Sequence, residues 1–213
     1  MKVRGYIMVK QKIIIAGVGG RGVLLACSLL LECAFRKRIP ILSADDYGMS
    51  QRGGSVVSHI KVGNFQSPLI GKEEADVLLA FERTEGYKNL PFLREGGLFI
   101  INSPLPSVES KELKTALERK HIRYYLVDAD RMALEMGYPL GVNMILLGFF
   151  SAFSDILFTK EDLQQCILKK TSKKRGVDNN LKAFERGYQE ALCILPSRSP
   201  SEGSRRSMER KSG

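Results

Sequence analysis

Long apolar segments are missing from this chain of 213 residues. It contains no run of about 18 or more uncharged apolar residues, which a membrane-spanning helix would need. Residues 1–12 also lack the apolar core and the small-residue cleavage site of a secretory signal. We therefore expect a cytoplasmic protein that does not associate with membranes. The composition, 44% hydrophobic and 26% charged, is typical of a globular protein with one sizeable core.

Metal-binding and catalytic side chains are also scarce. The cysteine spacing matches neither a C-x-x-C zinc site nor the cluster-binding run of a ferredoxin, so we expect no metal on this chain. Two cysteines lie six positions apart on different faces of a predicted helix, and we interpret the cysteines as reduced core residues. Because no nucleophile–base arrangement is recognisable, we do not expect catalysis by this chain alone. The cysteines are Cys27, Cys33, Cys166 and Cys193, and the histidines are His59 and His121.

Signatures of nucleic-acid binding are absent despite a formal net charge of +10. Five basic and two acidic side chains lie in residues 196–213, which leaves +7 for the rest. Without an RNP, helix-turn-helix or zinc-finger signature, we interpret this excess as a solvated basic surface and expect no nucleic-acid partner. Residues 196–213 have almost no apolar side chains to offset the chain entropy, and we expect them to form a disordered tail.

A glycine loop follows the first predicted strand. The β-branched run at residues 13–15 leads into a G-x-G-x-x-G motif and then into an apolar-periodic stretch at residues 23–35, which predicts strand, tight turn and helix. A second apolar run at residues 39–42 completes the pattern of a parallel β-α-β unit. The motif consists of Gly17, Val18, Gly19, Gly20, Arg21 and Gly22.

Two interpretations of the glycine loop are open. Glycines at a helix N-terminus allow a nucleotide phosphate to approach, and Asp45 or Asp46 lies at a suitable distance along the chain to bind a ribose hydroxyl. The same glycines are also needed where a helix packs tightly against the first strand and no nucleotide binds. Arg21 could accordingly neutralise a phosphate or face a protein carboxylate.

The rest of the chain alternates between strand and helix patterns. Strands are predicted at residues 55–63, 75–81, 97–102 and 122–128, and helices at residues 109–120, 142–153, 161–169 and 179–193. We predict an α/β fold with one doubly wound, mostly parallel sheet and helices on both faces, similar to a Rossmann fold. This single domain covers residues 1–195, and the tail covers residues 196–213.

A polar segment flanked by glycines connects the second predicted strand to the third. As a purely structural element, it is a connection whose glycines take positive φ. As a functional element, it is a loop at the end of a strand, where open α/β sheets place their working surface. Its residues are Gly48, Met49, Ser50, Gln51, Arg52, Gly53 and Gly54.

The two motifs, GVGGRGV and YGMSQRGGSVVSHIKVG, resemble in order and spacing those of a known enzyme family. They are similar to the small subunit of indolepyruvate ferredoxin oxidoreductases and to the gamma domain of pyruvate and 2-oxoglutarate ferredoxin oxidoreductases. The resemblance continues in GVNMILLGFFSAF from Gly141 and in DNNLKAFERGY from Asp178, and it covers residues 12–190 approximately. Arg21 departs from the family pattern, in which Gln is common at that position.

The resemblance implies a subunit of an enzyme that decarboxylates a 2-oxoacid on thiamine diphosphate. In that family, electrons pass through four-iron four-sulfur clusters to ferredoxin, and coenzyme A takes the acyl group. The resemblance assigns the cofactors to a large thiamine-dependent partner subunit and none to this chain. It implies that residues 48–54 contact that partner, with Arg52 contributing most through bidentate pairing with a carboxylate or phosphate.

The segment GMSQRGG also bears on the substrate. It looks like the aryl-pyruvate branch of the family, because the pyruvate and 2-oxoglutarate branches tend to have Gly-Pro-Glu-x-Arg-Gly there. Two rival functions are a free-standing NAD- or FAD-binding protein, which would use Asp45 or Asp46, and a non-catalytic adaptor of the same fold. We interpret His59 and Asn143 as polar residues that stabilise the fold rather than as catalytic groups.

Overall fold

The computed structural model describes residues 10–48, 53–153, 155–170 and 174–195. Within these ranges the strands form one six-stranded sheet. The strands are β1 Gln11–Val18, β2 Ile41–Tyr47, β3 Ser55–Val62, β4 Ala75–Ala80, β5 Leu93–Asn102 and β6 Arg123–Val127. Every strand that the sequence pattern predicts is therefore present. The expected disordered tail lies outside the described residues.

The strand order is β2-β3-β1-β4-β5-β6. Strand β1 pairs in parallel with β4, β4 with β5, and β5 with β6. Strand β3 pairs antiparallel with both β1 and β2, so all strands except β3 run in the same direction. The prediction of a mostly parallel sheet is confirmed.

The predicted β-α-β unit is present, but its two strands are not neighbours in the sheet. Ile60 of β3 lies opposite Ile13 of β1 and also opposite Ser43 of β2, so β3 occupies the position between them. The physical reason is the short connection after Tyr47, since strands joined by a few residues pair antiparallel. As a result, β2 lies at the edge of the sheet.

Seven α-helices among the described residues cover the sheet. They are α1 Val23–Arg36, α2 Arg83–Asn89, α3 Lys111–Arg119, α4 Ala129–Glu135, α5 Val142–Phe150, α6 Lys160–Lys170 and α7 Lys174–Ile194. The sequence pattern predicts all of these except α2 and α4. Both are seven residues long, too short for the apolar periodicity that marks a longer helix. Each instead begins with a side-chain cap, in which Glu82 or Asp128 accepts a hydrogen bond from a backbone N–H of the first turn.

Apolar side chains cover both faces of the sheet. Along β1, Ile13 and Ile15 belong to the core that α1, α4, α5, α6 and α7 share, whereas Ile14 and Ala16 belong to the core on the side of α2 and α3. All four side chains are fully buried, as expected in a strand whose alternate residues point to opposite faces. The predicted doubly wound arrangement is confirmed.

Helices α5 and α7 pack with their backbones in direct contact. A Cβ atom added at Gly148 would lie 1.9 Å from the carbonyl oxygen of Phe184, and one added at Gly187 would lie 1.9 Å from that of Ile145. Only glycine permits such an approach of two backbones. The two late segments of the resemblance are therefore the two halves of one helix pair.

The cysteines only partly match their predicted positions. All four are free thiols, and Cys27, Cys33 and Cys166 are buried as predicted. Cys193 is exposed, together with its neighbours Leu192 and Ile194, so the prediction of a core position was wrong for this residue. The reason is that Cys193 lies on the outward face of the last turn of α7, whose core contact is made by Ala191.

Candidate functional site

The carboxyl ends of β1, β4, β5 and β6 lie at one edge of the sheet, because these strands are parallel. After β1 the chain proceeds to the strands on one side, and after β4 to the strands on the other. Open α/β sheets bind their ligands where the strand order reverses in this way, outside the carboxyl ends of the strands. The loops that follow these strands therefore form the candidate functional site.

The glycine loop between β1 and α1 is tightly packed. Gly20 and Gly22 have φ angles of 90° and 81°, a region that favours glycine. A Cβ atom at Gly22 would lie 2.1 Å from the side-chain nitrogen of Asn143, at the start of α5. One at Gly17 would lie 2.9 Å from Cγ2 of Val23. Packing therefore requires glycine at positions 17 and 22, and the backbone conformation favours it at position 20, whether or not a ligand binds.

The glycine loop and the loop between β2 and β3 are directly joined. The backbone N–H of Gly19 donates a hydrogen bond of 2.9 Å to the carbonyl oxygen of Gly54. The N–H of Arg21 donates to the carbonyl oxygen of Val18 at 3.2 Å. Two N–H groups that could have bound an anion are therefore used within the chain. The two sequence motifs form one structural unit at the candidate site.

The connection from β2 to β3 is described only at its two ends. The N–H of Gly48 donates to the carbonyl oxygen of Ser55 at 2.8 Å, which closes the base of the hairpin. Gly53 has a φ of 75°, as expected for a glycine that reverses the chain, whereas Gly48 does not have a positive φ, so the expectation for the glycines of this connection is only partly met. The remaining predicted contact residues, Met49, Ser50, Gln51 and Arg52, lie outside the described residues, and their role stays a prediction.

Arg21 faces a carboxylate of its own chain. Its guanidinium forms an ion pair with Asp130 at 2.5 Å, and the side-chain nitrogen of Asn102 donates to the other carboxylate oxygen of Asp130 at 2.8 Å. Asn102 also donates to the carbonyl oxygen of Phe81 and accepts from the N–H of Ala129. The loops after β1, β4, β5 and β6 are thus linked by one hydrogen-bond network. Of the two roles open for Arg21, this geometry favours pairing with a protein carboxylate.

Asp45 and Asp46 do not lie on a strand next to β1, which carries the glycine loop at its end. They lie on β2, which is two strands away from β1, or about 10 Å at the usual strand spacing. In a dinucleotide-binding fold the strand that carries the ribose-binding acid lies next to the first strand. The carboxylate of Asp45 instead accepts a hydrogen bond from the hydroxyl of Ser58. The geometry therefore argues against a dinucleotide site of this kind.

The sequence analysis missed a buried carboxylate that is hydrogen-bonded to the base of the hairpin. Glu85 of α2 is 4% exposed, and it accepts hydrogen bonds from the hydroxyl of Ser55 at 2.6 Å and from the ammonium of Lys88 at 2.7 Å. Burial raises the pKa of Glu85, but the hydrogen bonds from Lys88 and Ser55 outweigh it and hold the pKa below its ordinary value. No sequence pattern marks Glu85, because its partner Ser55 is 30 residues away.

The two polar residues interpreted as structural have partners in the core. The Nδ1 atom of buried His59 accepts a hydrogen bond from the N–H of Ile70, and burial lowers the pKa of the imidazole. The side-chain oxygen of buried Asn143 accepts from the N–H of Met144. These bonds agree with a stabilising role for both side chains. Neither residue has a geometry that suggests proton transfer.

Within the described ranges, His, Cys, Asp and Glu side chains nowhere gather in a group of three or more that could hold a metal ion. In the same part of the chain, no helix combines the length and apolar character needed to cross a membrane.

The fold and the joined loops define a doubly wound α/β protein whose two sequence motifs meet at the edge of the sheet where such folds bind their ligands. The sequence model of the family described as pyruvate ferredoxin/flavodoxin oxidoreductase matches residues 12–190, and the chain belongs to this family. The resemblance found in the two motifs is confirmed.

Curated relatives and a solved structure are similar over nearly their whole length. Indolepyruvate oxidoreductase subunit IorB of Archaeoglobus fulgidus is 32% identical over 199 residues, which cover 88% of this chain and 98% of that protein. The 2-oxoglutarate synthase subunit KorC of Methanocaldococcus jannaschii is 25% identical, covering 87% of this chain and 96% of that protein. The gamma subunit of a keto/oxoacid ferredoxin oxidoreductase from Geobacter sulfurreducens has the same fold, with a TM-score of 0.67, 23% identity, and coverage of 86% and 99%.

Proposed function

We propose that this chain is the cofactor-free small subunit of a 2-oxoacid:ferredoxin oxidoreductase that acts on indolepyruvate or a related aryl-2-oxoacid. The observation that carries the proposal is the hydrogen bond between Gly19 and Gly54. It joins the two motifs of the resemblance into one surface at the edge where α/β sheets bind their ligands. Such a surface suits contact with a partner subunit better than the binding of a free nucleotide, because the N–H groups of Gly19 and Arg21 are already paired within the chain.

In this proposal the chain contributes a shaped surface rather than reacting groups. The base of the hairpin is held by the Gly48–Ser55 hydrogen bond and by the hydrogen bond from Ser55 to Glu85. The sequence between its two ends, residues 49–52, supplies the contacts to the partner in this proposal. Arg52 pairs there with a carboxylate or phosphate and helps to exclude water. Thiamine diphosphate and four-iron four-sulfur clusters on the large subunit supply decarboxylation and electron transfer to ferredoxin, and coenzyme A accepts the acyl group.

The identity of the 2-oxoacid substrate is the more specific part of the proposal. The segment GMSQRGG and the relative named for indolepyruvate both support an aryl-2-oxoacid. The relative named for 2-oxoglutarate synthase is less similar, at 25% identity, but it is the alternative against which the substrate must be tested. Because the substrate pocket is assigned to the partner subunit, the two substrates must be compared on the assembled enzyme.

The experiment is to co-express the chain with the large thiamine-type subunit of the same source organism. Viologen reduction that depends on both coenzyme A and the 2-oxoacid is then measured with indolepyruvate, 2-oxoglutarate and pyruvate. We expect activity only when this chain is present, and a preference for indolepyruvate. Arg52→Ala should lower the activity at least about tenfold, as expected when a charged interface contact is lost. Arg119→Ala, an exposed arginine on α3, is the matched control and should leave the activity unchanged.

Other outcomes of this experiment separate the rival functions. A stable complex without 2-oxoacid-dependent activity would favour the adaptor. Binding of NAD or FAD by the isolated chain, measured by calorimetry, with no complex formed, would favour the free-standing nucleotide-binding protein. A preference for 2-oxoglutarate would retain the subunit assignment and overturn the aryl-2-oxoacid substrate.

A further inference from the structure

Two buried cysteines from distant parts of the chain lie in direct contact. The sulfur atoms of Cys33 on α1 and Cys166 on α6 are 2.7 Å apart, and both residues are 1% exposed. A disulfide has a sulfur–sulfur distance of about 2.05 Å, so the sulfurs need to approach by only about 0.7 Å to form a bond. The sequence gives no sign of this pair, because the two residues are 133 positions apart.

Polar contacts hold α1 and α6 together on either side of the two thiols. The guanidinium of Arg36 donates to the carbonyl oxygen of Gln165 at 3.3 Å, and the ammonium of Lys37 forms an ion pair with Asp162. The thiol of Cys33 also contacts the carbonyl oxygen of Asp162 at 3.5 Å. These contacts restrain both helices, and the sulfur atoms therefore stay within bonding range.

A small cleft gives reagents access to the pair. It has a volume of about 140 Å³, and both cysteines line it together with Arg36, Lys37 and Asp162. This volume is sufficient for several molecules the size of water, and hence for hydrogen peroxide. Burial, and then the neighbouring Cys166, raise the pKa of the Cys33 thiol, so little thiolate is present at neutral pH. The reaction should therefore be slow and become faster as the pH rises.

We propose that Cys33 and Cys166 are a modification site, at which a peroxide-class oxidant forms a reversible disulfide that links α1 to α6. The thiolate of one cysteine attacks a peroxide oxygen, which gives a sulfenic acid and releases water after protonation. The second thiol then displaces water from the sulfenic acid and forms the sulfur–sulfur bond. The two cysteines lose two protons and two electrons, and one hydrogen peroxide becomes two waters. Thiols such as dithiothreitol reverse the bond by exchange.

The test uses the full chain, purified reduced and then treated with hydrogen peroxide at pH 7 and pH 9. Free thiols in the denatured protein should fall from four to two per chain. Mass spectrometry of a non-reducing digest should find the Cys33 and Cys166 peptides joined, with the loss of two hydrogen masses. Closing so long a loop should raise the melting temperature by at least about 5 °C, and dithiothreitol should reverse this.

Variants distinguish this pair from other oxidation. Cys193→Ser removes the exposed thiol and should still form the link, so its three thiols fall to one. Cys166→Ser should form no internal link and keep its unoxidised melting temperature. The proposal is overturned if the wild-type chain keeps four thiols or if every disulfide that it forms involves Cys193. It is also overturned if Cys33 accumulates as sulfinic acid while Cys166 stays free. The non-reducing digest of the wild-type chain is sufficient to test the proposal, so misfolding of a variant does not prevent the test.

Discussion

The contact between α5 and α7 leads to a quantitative prediction for Gly148→Ala. The added Cβ would lie 1.9 Å from the carbonyl oxygen of Phe184 and 3.0 Å from the backbone nitrogen of Tyr188. Because both atoms are backbone, α7 has to move as a unit by more than 1 Å to restore an ordinary contact. Overpacking costs typically about 1–3 kcal/mol, and a clash with backbone atoms belongs at the upper end of this range. The greater helix propensity of alanine offsets about 1 kcal/mol. We expect a net loss of about 2 kcal/mol in the free energy of unfolding.

Thermal and urea unfolding of the isolated chain measure this loss. For a chain of this size, about 2 kcal/mol corresponds to a melting temperature roughly 4–8 °C lower. Gly187→Ala should have a similar effect, because its Cβ would lie 1.9 Å from the carbonyl oxygen of Ile145. The double variant should lose less than the sum of the two, since movement of α7 relieves both clashes. Thr115→Ala, on an exposed position of α3, controls for helix propensity alone. Wild-type stability in both glycine variants would refute the reasoning.

Three further predictions concern the loops and buried polar groups. Gly22→Ala should lower the stability by at least roughly 2 kcal/mol and impair assembly with the large subunit, because φ is 81° and the side chain of Asn143 fills the space. The stability should fall by at most about 1.4 kcal/mol per pH unit as the pH drops below about 6.5, since His59 takes up a proton in the unfolded chain while burial lowers its folded pKa. Glu85→Gln should flatten the loss of stability below about pH 4.5, because the lowered pKa of Glu85 stabilises the folded chain above that range.

Each of these predictions has a matched control. Gly19→Ala should be tolerated, because the nearest atom to its added Cβ is 3.5 Å away, and equal losses at both glycines would contradict the packing argument. His59→Gln should flatten the curve between pH 7 and pH 5, and His121→Gln, at an exposed histidine, is the matched control for the loss of an imidazole. Glu112→Gln removes an exposed carboxylate whose pKa is also lowered, by backbone and Ser110 hydrogen bonds, and it should flatten the acid loss less than Glu85→Gln because solvent screens its contribution.

Local patterns in the sequence predict the strands, the long helices and both motifs, because each depends on neighbours in the chain. The sequence does not predict the position of β3 between β1 and β2, since an apolar strand does not indicate which strands it pairs with. The links from Arg21 to Asp130 and from Ser55 to Glu85 join residues 109 and 30 positions apart. Such polar contacts depend on the whole fold, and no spacing rule reveals them. The helices α2 and α4 escaped prediction because their caps, rather than periodicity, define them.

The Arg21–Asp130 pair also resolves the one departure from the family motif. In place of the neutral glutamine that is common there, arginine adds a positive charge to the loop that meets the hairpin. Asp130 pairs with that charge, and Asn102 holds Asp130 in place. Both members of the ion pair are still partly exposed, so it contributes little to stability, at most about 1 kcal/mol. Its main consequence is electrostatic, because Asp130 neutralises the charge that Arg21 adds to the loop. Arg21→Gln alone should therefore weaken the affinity for the large subunit more than Arg21→Gln combined with Asp130→Asn. Measuring this affinity for the wild-type chain and both variants tests the argument, and equal losses in the two variants would contradict it.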